Sequence, residues 1–222
     1  MDLSFSEEQT LLRDTAARVS RDHGGVERRR ALRASTPGFS PETWAAFAEL
    51  GWLALPFAEQ DGGLGGQWQD VAILAEQIGR ELVPSPYLDT VVVCGALLGR
   101  GSEAQRERHL PPLIAGQTQW SLACAEAEGS FVLADVTTSA RSEGEGWLLD
   151  GSKFAAPNAH AADAIILSAR TGTAGGDDDL VRRMRVRRGE LAALDHPAIG
   201  PAACRTRHVT KIDAGLGLDA GE

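Results

Sequence analysis

The stretch SLACAEAEGS at residues 121–130 combines residue types that could contact a polar ligand. Its apolar start predicts a strand, and two carboxylates, Glu126 and Glu128, follow before the small residues Gly129 and Ser130. A carboxylate can accept a proton or a hydrogen bond, and small residues leave backbone N–H groups open to a ligand. Acidic residues in a loop are by default solvated side chains, so the stretch needs support from its neighbours.

Other patterns that can carry chemistry are weaker. The loop DGGLGG at residues 61–66 lacks the GK[ST] ending of a phosphate-binding loop, which favours a plain loop. Cys94, Cys124 and Cys204 lie far apart without a CxxC pair, so we expect free thiols in a reducing compartment. The histidines show no spacing typical of ligands, and we expect no metal.

The charge balance limits the partners of the chain. The 222 residues carry a formal net charge of -9, which is a poor match for nucleic acid or an anionic membrane. Residues 1–12 (MDLSFSEEQTLL) lack the basic and apolar regions of a signal peptide, and no uncharged stretch is long enough to cross a membrane. We therefore expect a cytoplasmic protein with no membrane span and no nucleic-acid partner.

Helix signals occupy the first half of the sequence. Ser6 and Gln9 fit a capping box, and the helix that they start is predicted to end at residues 36–38 (TPG). Ser40 and Pro41 are typical of the start of a second helix. Further helices are predicted over about residues 69–82, over about residues 88–98, and from Ser102 to just before Pro111-Pro112.

Strand signals begin after Gly116. Apolar residues alternate with small ones near Trp120, and residues 164–169 (AIILSA) read as a buried strand. Asp150-Gly151, which follows an apolar run, is a hairpin signal. The order of elements predicts an α+β fold. An all-helical domain over residues 1–116 precedes a small, barrel-like, antiparallel β domain over residues 117–222.

Four stretches occur in a particular order along residues 1 to about 170. They are FSEEQTLLRDTAARV, then SPETWAAFAELGWLAL with the GGLGG loop, then LPPLIAGQTQWSLACAEAEGS, and finally WLLDGSKFAAPNAHAAD. Together they resemble the acyl-CoA dehydrogenase family of flavoproteins. The resemblance implies FAD as cofactor and the oxidation of the Cα–Cβ bond of an acyl-CoA thioester. It also implies a homo- or hetero-oligomer with an acyl-CoA dehydrogenase-type subunit.

The resemblance also implies which residues lie near the flavin. The family loop T-E-P-x-A-G-S aligns with residues 125–130, which keep the Glu and the Gly-Ser but lose the Thr, the Pro and one residue. The family segment K-x-W-I-T aligns with residues 153–157, where Pro157 replaces the Thr and has no N–H to donate. The predicted FAD-binding residues are Cys124, Ala125, Glu126, Ser130, Ala155, Ala156 and Pro157, and Ser130 is also predicted to contact the substrate.

The C-terminal part departs from the family. Residues 180–190 (LVRRMRVRRGE) hold five arginines where the family has an apolar strand, so we expect residues 175–222 to be divergent or partly disordered. The sequence ends at Glu222, about where the family's C-terminal helical bundle would begin. We expect that bundle and its catalytic Glu to be absent, which leaves no residue assigned as the base.

Two interpretations remain open from the sequence. The chain is an FAD-dependent acyl-CoA dehydrogenase, an oxidoreductase acting on CH–CH groups, that is inactive alone because the base is missing. Alternatively, it is a non-catalytic partner subunit or remnant that binds a complete homologue. An unrelated helical-plus-β interaction protein would require the ordered match to be chance.

Overall fold

A computed structural model describes most of the chain. The described residues are 4–126, 135–143, 146–171, 180–187 and 203–207, and side chains are described for 4–126, 135–141 and 149–170. The chain divides into two compact units. The helical unit holds Met1–Arg100 and Arg106–Thr118, and the sheet unit holds Gly101–Gln105 and Gln119–Glu222.

The first half of the chain is helical, as predicted. The α-helices are α1 (Glu7–His23), α2 (Val26–Arg33), α3 (Pro41–Glu49), α4 (Trp68–Arg80), α5 (Gly95–Leu98) and α6 (Glu103–Ile114), with a 3-10 turn at Glu59–Asp61 and a π-helix at Leu88–Cys94. None of the described helices is both long enough and apolar enough to cross a bilayer.

Side-chain caps start two of these helices. The Ser6 hydroxyl accepts the Gln9 N–H at 3.1 Å, and the Gln9 side chain accepts the Ser6 N–H at 3.2 Å. The Ser40 hydroxyl accepts the Thr43 N–H at 3.2 Å, which starts α3. Each bond satisfies an N–H that has no partner within its helix. Both predicted helix starts are therefore confirmed.

Two predicted helix ends were wrong. The first helix stops at His23, because Gly24 is extended (φ -102°, ψ -160°) and the Gly25 N–H donates to the Glu81 carbonyl at 2.7 Å. A Cβ on Gly24 would come within 2.2 Å of the same oxygen. Helix α6 runs through Pro111-Pro112 to Ile114. The proline carbonyls still accept hydrogen bonds, since Ala115 N donates to Pro111 O at 2.9 Å.

The interior of the helical unit is built from large side chains. Phe47 is 0% exposed, and its ring lies 4.6 Å from that of Trp52. The buried Tyr87 hydroxyl donates to the Trp52 carbonyl at 3.3 Å, and burial raises the pKa of this phenol well above its usual range. Leu53, Leu74, Leu98, Leu110 and Leu113 are also fully buried.

The sheet unit contains six described strands. They are β1 (Trp120–Ala123), β2 (Ser139–Glu143), β3 (Gly146–Phe154), β4 (Ala164–Thr171), β5 (Leu180–Arg187) and β6 (Ala203–Arg207). Their order is β1-β4-β2-β3-β6, and β5 also pairs with β4. The buried strand predicted at residues 164–169 is confirmed as β4.

The sheet is mixed, which corrects the predicted antiparallel β domain. β1 pairs with β4 in parallel, with Trp120 opposite Ala164, and β2 is also parallel to β4. The other three pairings are antiparallel. Parallel strands need a long crossover. Residues 124–163, which contain the β2–β3 pair, supply that crossover, and strand signals alone do not reveal it.

Asp150-Gly151 does not form the predicted turn. Both residues lie inside β3, where Gly151 pairs with Thr206 of β6. A Cβ on Gly151 would lie 2.5 Å from the Thr138 hydroxyl oxygen and 2.7 Å from the Thr138 Cα. Glycine is therefore needed at this position for a close approach of two chain segments.

The arginine-rich stretch forms a strand over its described part. β5 pairs along the whole of β4, with Arg183 opposite Ser168 and Arg187 opposite Ala164. The arginines of this stretch therefore do not prevent it from pairing as a strand. β6 is the other described part of residues 175–222, and the rest of this range lies outside the described residues.

Candidate functional site

A backbone hydrogen bond joins the two segments that the sequence singled out. The Phe154 N–H donates to the Ala125 carbonyl at 2.7 Å. Ala125 follows the end of β1, and Phe154 is the last residue of β3. The sheet therefore brings the residues after these two strands to one place, although they lie far apart in sequence.

The turn after β3 is held by a second contact between the same segments. The Ser121 hydroxyl, which is buried, donates to the Pro157 carbonyl at 2.6 Å. Ala155 has a φ of 51° and Asn158 a φ of 54°, a left-handed conformation that residues other than glycine adopt uncommonly. Such a conformation persists only where neighbouring contacts enforce it, and it clusters at functional sites.

Glu126 accepts hydrogen bonds from three other residues of the sheet unit. Thr138 donates to Oε1 from its N–H at 2.9 Å and from its hydroxyl at 2.6 Å. Thr137 donates to Oε2 from its N–H at 2.8 Å and also from its hydroxyl. The Lys153 ammonium donates to Oε1 at 2.7 Å. One carboxylate thus ties the end of β1 to the entry of β2 and the end of β3.

Lys153 is buried together with its partner. The side chains of Lys153 and Glu126 are each 6% exposed, and the Lys153 ammonium also donates to the Ser168 hydroxyl at 3.0 Å. Alternation along β3 explains this position, because Leu149 and Lys153 both point inward while Asp150 and Phe154 are exposed. A buried charge needs a partner of opposite charge, and Glu126 supplies it.

The contacts of Glu126 also fix its charge. Burial alone would raise the pKa of this carboxyl, but the hydrogen bonds from Lys153, Thr137 and Thr138 outweigh burial and hold the pKa well below its usual range. A carboxylate has about four lone-pair sites. The five hydrogen bonds that Glu126 accepts from Thr137, Thr138 and Lys153 fill these sites. Its side chain is therefore a structural acceptor rather than a free base.

Comparison with known proteins identifies the relatives of this arrangement. A family model described as "Acyl-CoA dehydrogenase, N-terminal domain" matches residues 6–117, half of the chain. The chain belongs to the acyl-CoA dehydrogenase family. The resemblance stated from the sequence is therefore confirmed.

One curated relative is similar beyond the helical unit. Isovaleryl-CoA dehydrogenase of Pongo abelii is 30% identical over 173 residues, which are 77% of this chain and 41% of the relative. The chain thus spans about two fifths of the length of this acyl-CoA dehydrogenase.

Many solved structures share the fold. The ChsE4–ChsE5 complex of Mycobacterium tuberculosis has a TM-score of 0.72 at 21% identity, over 86% of this chain and 50% of that chain. The FAD complex of PigA has a TM-score of 0.70 at 24% identity, over 86% of this chain and 50% of that chain. At these identities the likeness establishes the fold alone. PigA binds FAD in this complex.

The structure describes most residues that the family resemblance predicted for the flavin site. Cys124, Ala125 and Glu126 follow β1 and are adjacent to the segment 155–157 through the Phe154–Ala125 bond. Ala155 and Pro157 are exposed, and Ala156 packs against the core of the sheet unit. Ser130, the predicted contact of both FAD and substrate, lies outside the described residues. The assignment of these residues to the flavin site stays a prediction.

Sequence reasoning missed the partners of Glu126. The acyl-CoA dehydrogenase motif drew attention to residues 125–130 and 153–157, but not to Thr137, Thr138 or Ser168. A signal was available for Lys153, because the alternation of β3 puts a lysine at an inward position. An inward lysine predicts a buried acid, although it does not say which one. The threonines gave no such signal.

Proposed function

We propose that this chain is the helical and β part of an acyl-CoA dehydrogenase-like flavoprotein. The reaction is the α,β-dehydrogenation of an acyl-CoA thioester with FAD. The observation that carries the proposal is the bond between Phe154 N–H and the Ala125 carbonyl, which joins the two segments that match the family's flavin motifs. Membership of the acyl-CoA dehydrogenase family supports the reaction class, and the assignment of that reaction to a protein containing this chain is our proposal.

The described residues fit one side of a flat ring. Ala155 and Pro157 are small and exposed, and Phe154 is 43% exposed, so a planar group can approach the backbone that follows β3. The fit is incomplete in one respect, because Pro157 has no N–H to donate to a polar edge. These residues would hold FAD through backbone groups and apolar contact rather than through charge.

The roles of the chain's own residues follow from their contacts. When bound, FAD supplies the acceptor for the hydride. Residues 124–126 and 155–157 would orient the cofactor, and Ser121 holds the carbonyl of Pro157 in place. Glu126 is ionised, but five donors occupy it, so it does not take the α-proton of the substrate.

Absorption spectroscopy of the purified full chain tests the cofactor assignment. We expect either an oxidised-flavin spectrum as purified or uptake of added FAD, followed by the change in flavin fluorescence on titration. Pro157→Thr, which restores an N–H and a hydroxyl at the family's Thr position, is expected to lower the Kd for FAD. Pro84→Thr, the same change in the helical unit, serves as the matched control and leaves the Kd unchanged. If both the wild type and Pro157→Thr are colourless and take up no FAD, the proposal is wrong.

A second candidate function is a partner subunit that binds a complete acyl-CoA dehydrogenase without turning over substrate. The altered loop at residues 125–130 and the missing donor at Pro157 favour it. The ChsE4–ChsE5 structure is a complex of two proteins, and a chain of that complex shares this fold. Size-exclusion chromatography of the chain mixed with a complete family member tests this candidate. Co-elution without FAD uptake by the chain supports it, and separate elution excludes that family member as the partner.

A further inference from the structure

The buried Glu126–Lys153 pair lies between the two segments of the proposed flavin site. Lys153 directly precedes Phe154, whose N–H is bonded to Ala125, the residue before Glu126. The ion pair and the backbone bond therefore connect the same two segments at neighbouring positions. A change that moves either charged side chain also moves the backbone next to it.

The pair is also anchored away from the site. The Glu126 carboxylate is held by the backbone and hydroxyl groups of Thr137 and Thr138, and Lys153 is held by Ser168 of β4. Thr138 in turn accepts the Arg170 N–H at 2.8 Å through its carbonyl, which ties it to the same strand as Ser168. The rigid part of the sheet thus fixes the pair, and the pair fixes residues 125–126 and 153–155.

We propose that Glu126 and Lys153 are positioning residues for FAD, which set the relative placement of segments 124–126 and 155–157 without contacting the cofactor through their side chains. This inference rests on the proposed function. It also changes the role that the family resemblance implied for Glu126. Its backbone remains next to the predicted site, while its carboxylate is fully occupied inside the sheet unit.

The left-handed conformation of Ala155 makes the placement of segment 155–157 depend on the Glu126–Lys153 ion pair. Its φ of 51° is maintained by the contacts on either side of it, which are the Phe154–Ala125 bond and the Ser121–Pro157 bond. Loss of the Lys153 charge leaves the Glu126 carboxylate buried without a counter-ion, which is strongly destabilising, and movement of the carboxylate toward water would lower this cost. That movement would pull residues 125–126 away from β3 and release the strained turn.

The experiment uses the full chain carrying Lys153→Met, which keeps the length of the side chain and removes its charge. Ser168→Ala is a milder second variant, because it removes one partner of Lys153 and leaves the ion pair. Asp61→Asn is the matched control, since it removes the charge from the half-buried Asp61–Arg106 pair of the helical unit. In this pair, Arg106 Nε lies 3.1 Å from Asp61 Oδ1. Amide exchange of Phe154, Thr137 and Thr138 is followed by NMR without FAD. The Kd for FAD and the visible circular dichroism of the bound flavin are then measured at a temperature where every variant is folded.

We expect Lys153→Met to speed the exchange of these three amides, raise the Kd for FAD by about tenfold or more, and alter the flavin dichroism. Ser168→Ala should give smaller shifts in the same direction, and Asp61→Asn should give none. A merely structural role would lower the unfolding temperature of Lys153→Met but leave the dichroism of its bound flavin as in the wild type.

The two readouts separate this inference from the proposed function. If the wild type binds FAD and Lys153→Met binds it equally well, the positioning role is wrong and the proposed function stands. If Lys153→Met leaves the exchange at the three amides unchanged, the ion pair does not hold the two segments together. The positioning role is then wrong whether or not the chain binds FAD. If the wild type binds no FAD, the proposed function is wrong, and the positioning role of the ion pair for FAD is wrong as well. Should Lys153→Met not fold, Ser168→Ala decides on the same criteria.

Discussion

The helical unit and the sheet unit differ in how their interiors are held. The helical unit buries large apolar side chains, including Phe47, Trp52 and Tyr87, at 5% exposure or less. The apolar cluster of the sheet unit is rich in alanine, and it consists of Ala123, Ala140, Leu149, Ala162, Ile165, Leu167 and Ala169. The sheet unit also buries an ion pair, Glu126–Lys153. Packing thus dominates in one unit, while strand pairing and a polar network matter more in the other.

The largest expected effect is a cavity in the helical unit. Phe47→Ala removes a fully buried ring that contacts Trp52 and Tyr87, and we expect a loss of about 3–5 kcal/mol in the free energy of unfolding. Urea unfolding followed by helical circular dichroism measures it. Leu11→Ala, at a position that is 69% exposed, should change the stability by less than about 0.5 kcal/mol. A loss below about 1 kcal/mol for Phe47→Ala would remove the contrast between the units.

The second prediction concerns the buried pair of the sheet unit. Lys153→Met is expected to cost about 3 kcal/mol, because removing one partner leaves the other charge buried alone. Arg13→Met breaks the exposed Arg13–Asp14 pair, whose side chains are 41% and 65% exposed, and should cost no more than about 1 kcal/mol. Urea unfolding of each variant measures the two losses, followed by amide exchange in β3 and β4 for Lys153→Met and in α1 for Arg13→Met. A loss for Lys153→Met as small as that for Arg13→Met would mean that the polar network does not stabilise the sheet unit.

The third prediction uses the charge of Glu126. Since folding lowers the pKa of this carboxyl, its stabilisation is fully present above the ordinary glutamate pKa of about 4.5 that applies in the unfolded chain. That stabilisation is lost progressively as the pH falls below this value. Glu126→Gln has no such titration, so the stability difference between the wild type and this variant should stay constant from about pH 7 to about pH 5 and shrink from there towards about pH 3. Urea midpoints over a pH series check it, and a constant difference would contradict it.

The smallest expected effects compare one glycine from each unit. Gly151→Ala places a Cβ 2.5 Å from the Thr138 hydroxyl oxygen, and we expect a loss of about 1–3 kcal/mol. Gly79→Ala in α4 meets nothing within 4 Å, and we expect a gain of about 0.5 kcal/mol, since alanine favours a helix. Thermal unfolding of the two variants gives the opposite signs directly. A neutral Gly151→Ala would show that the close approach at Thr138 relaxes freely.

The same contrast explains what the sequence could predict. Helix starts depend on residues that are close in sequence, so Ser6 with Gln9 and Ser40 with Pro41 predicted the starts of α1 and α3, where the caps were found. The ends were less readable because Gly24 is set by Glu81, a contact far along the chain. Local signals therefore predicted where helices begin better than where they end.

Pairing in the sheet depends on residues that are distant in sequence. The strand at residues 164–169 was found from its apolar run, but its parallel partner β1 was not. Asp150-Gly151 was misread because a turn signal and a close approach to Thr138 both require glycine. The family resemblance located the two segments of the candidate site. The buried network that joins them, from Thr137 to Ser168, required the structure.

The parallel pairing of β1 with β4 has a consequence for the assembly of the chain. Trp120 meets Ala164 only after about forty intervening residues have been made, so β1 leaves the ribosome well before its partner. Contacts of such long sequence separation form slowly, whereas the capped helices can form early. Until β4 arrives, the backbone groups of β1 that pair with β4 lack these partners, and such an unpaired strand edge can pair with a strand of another chain.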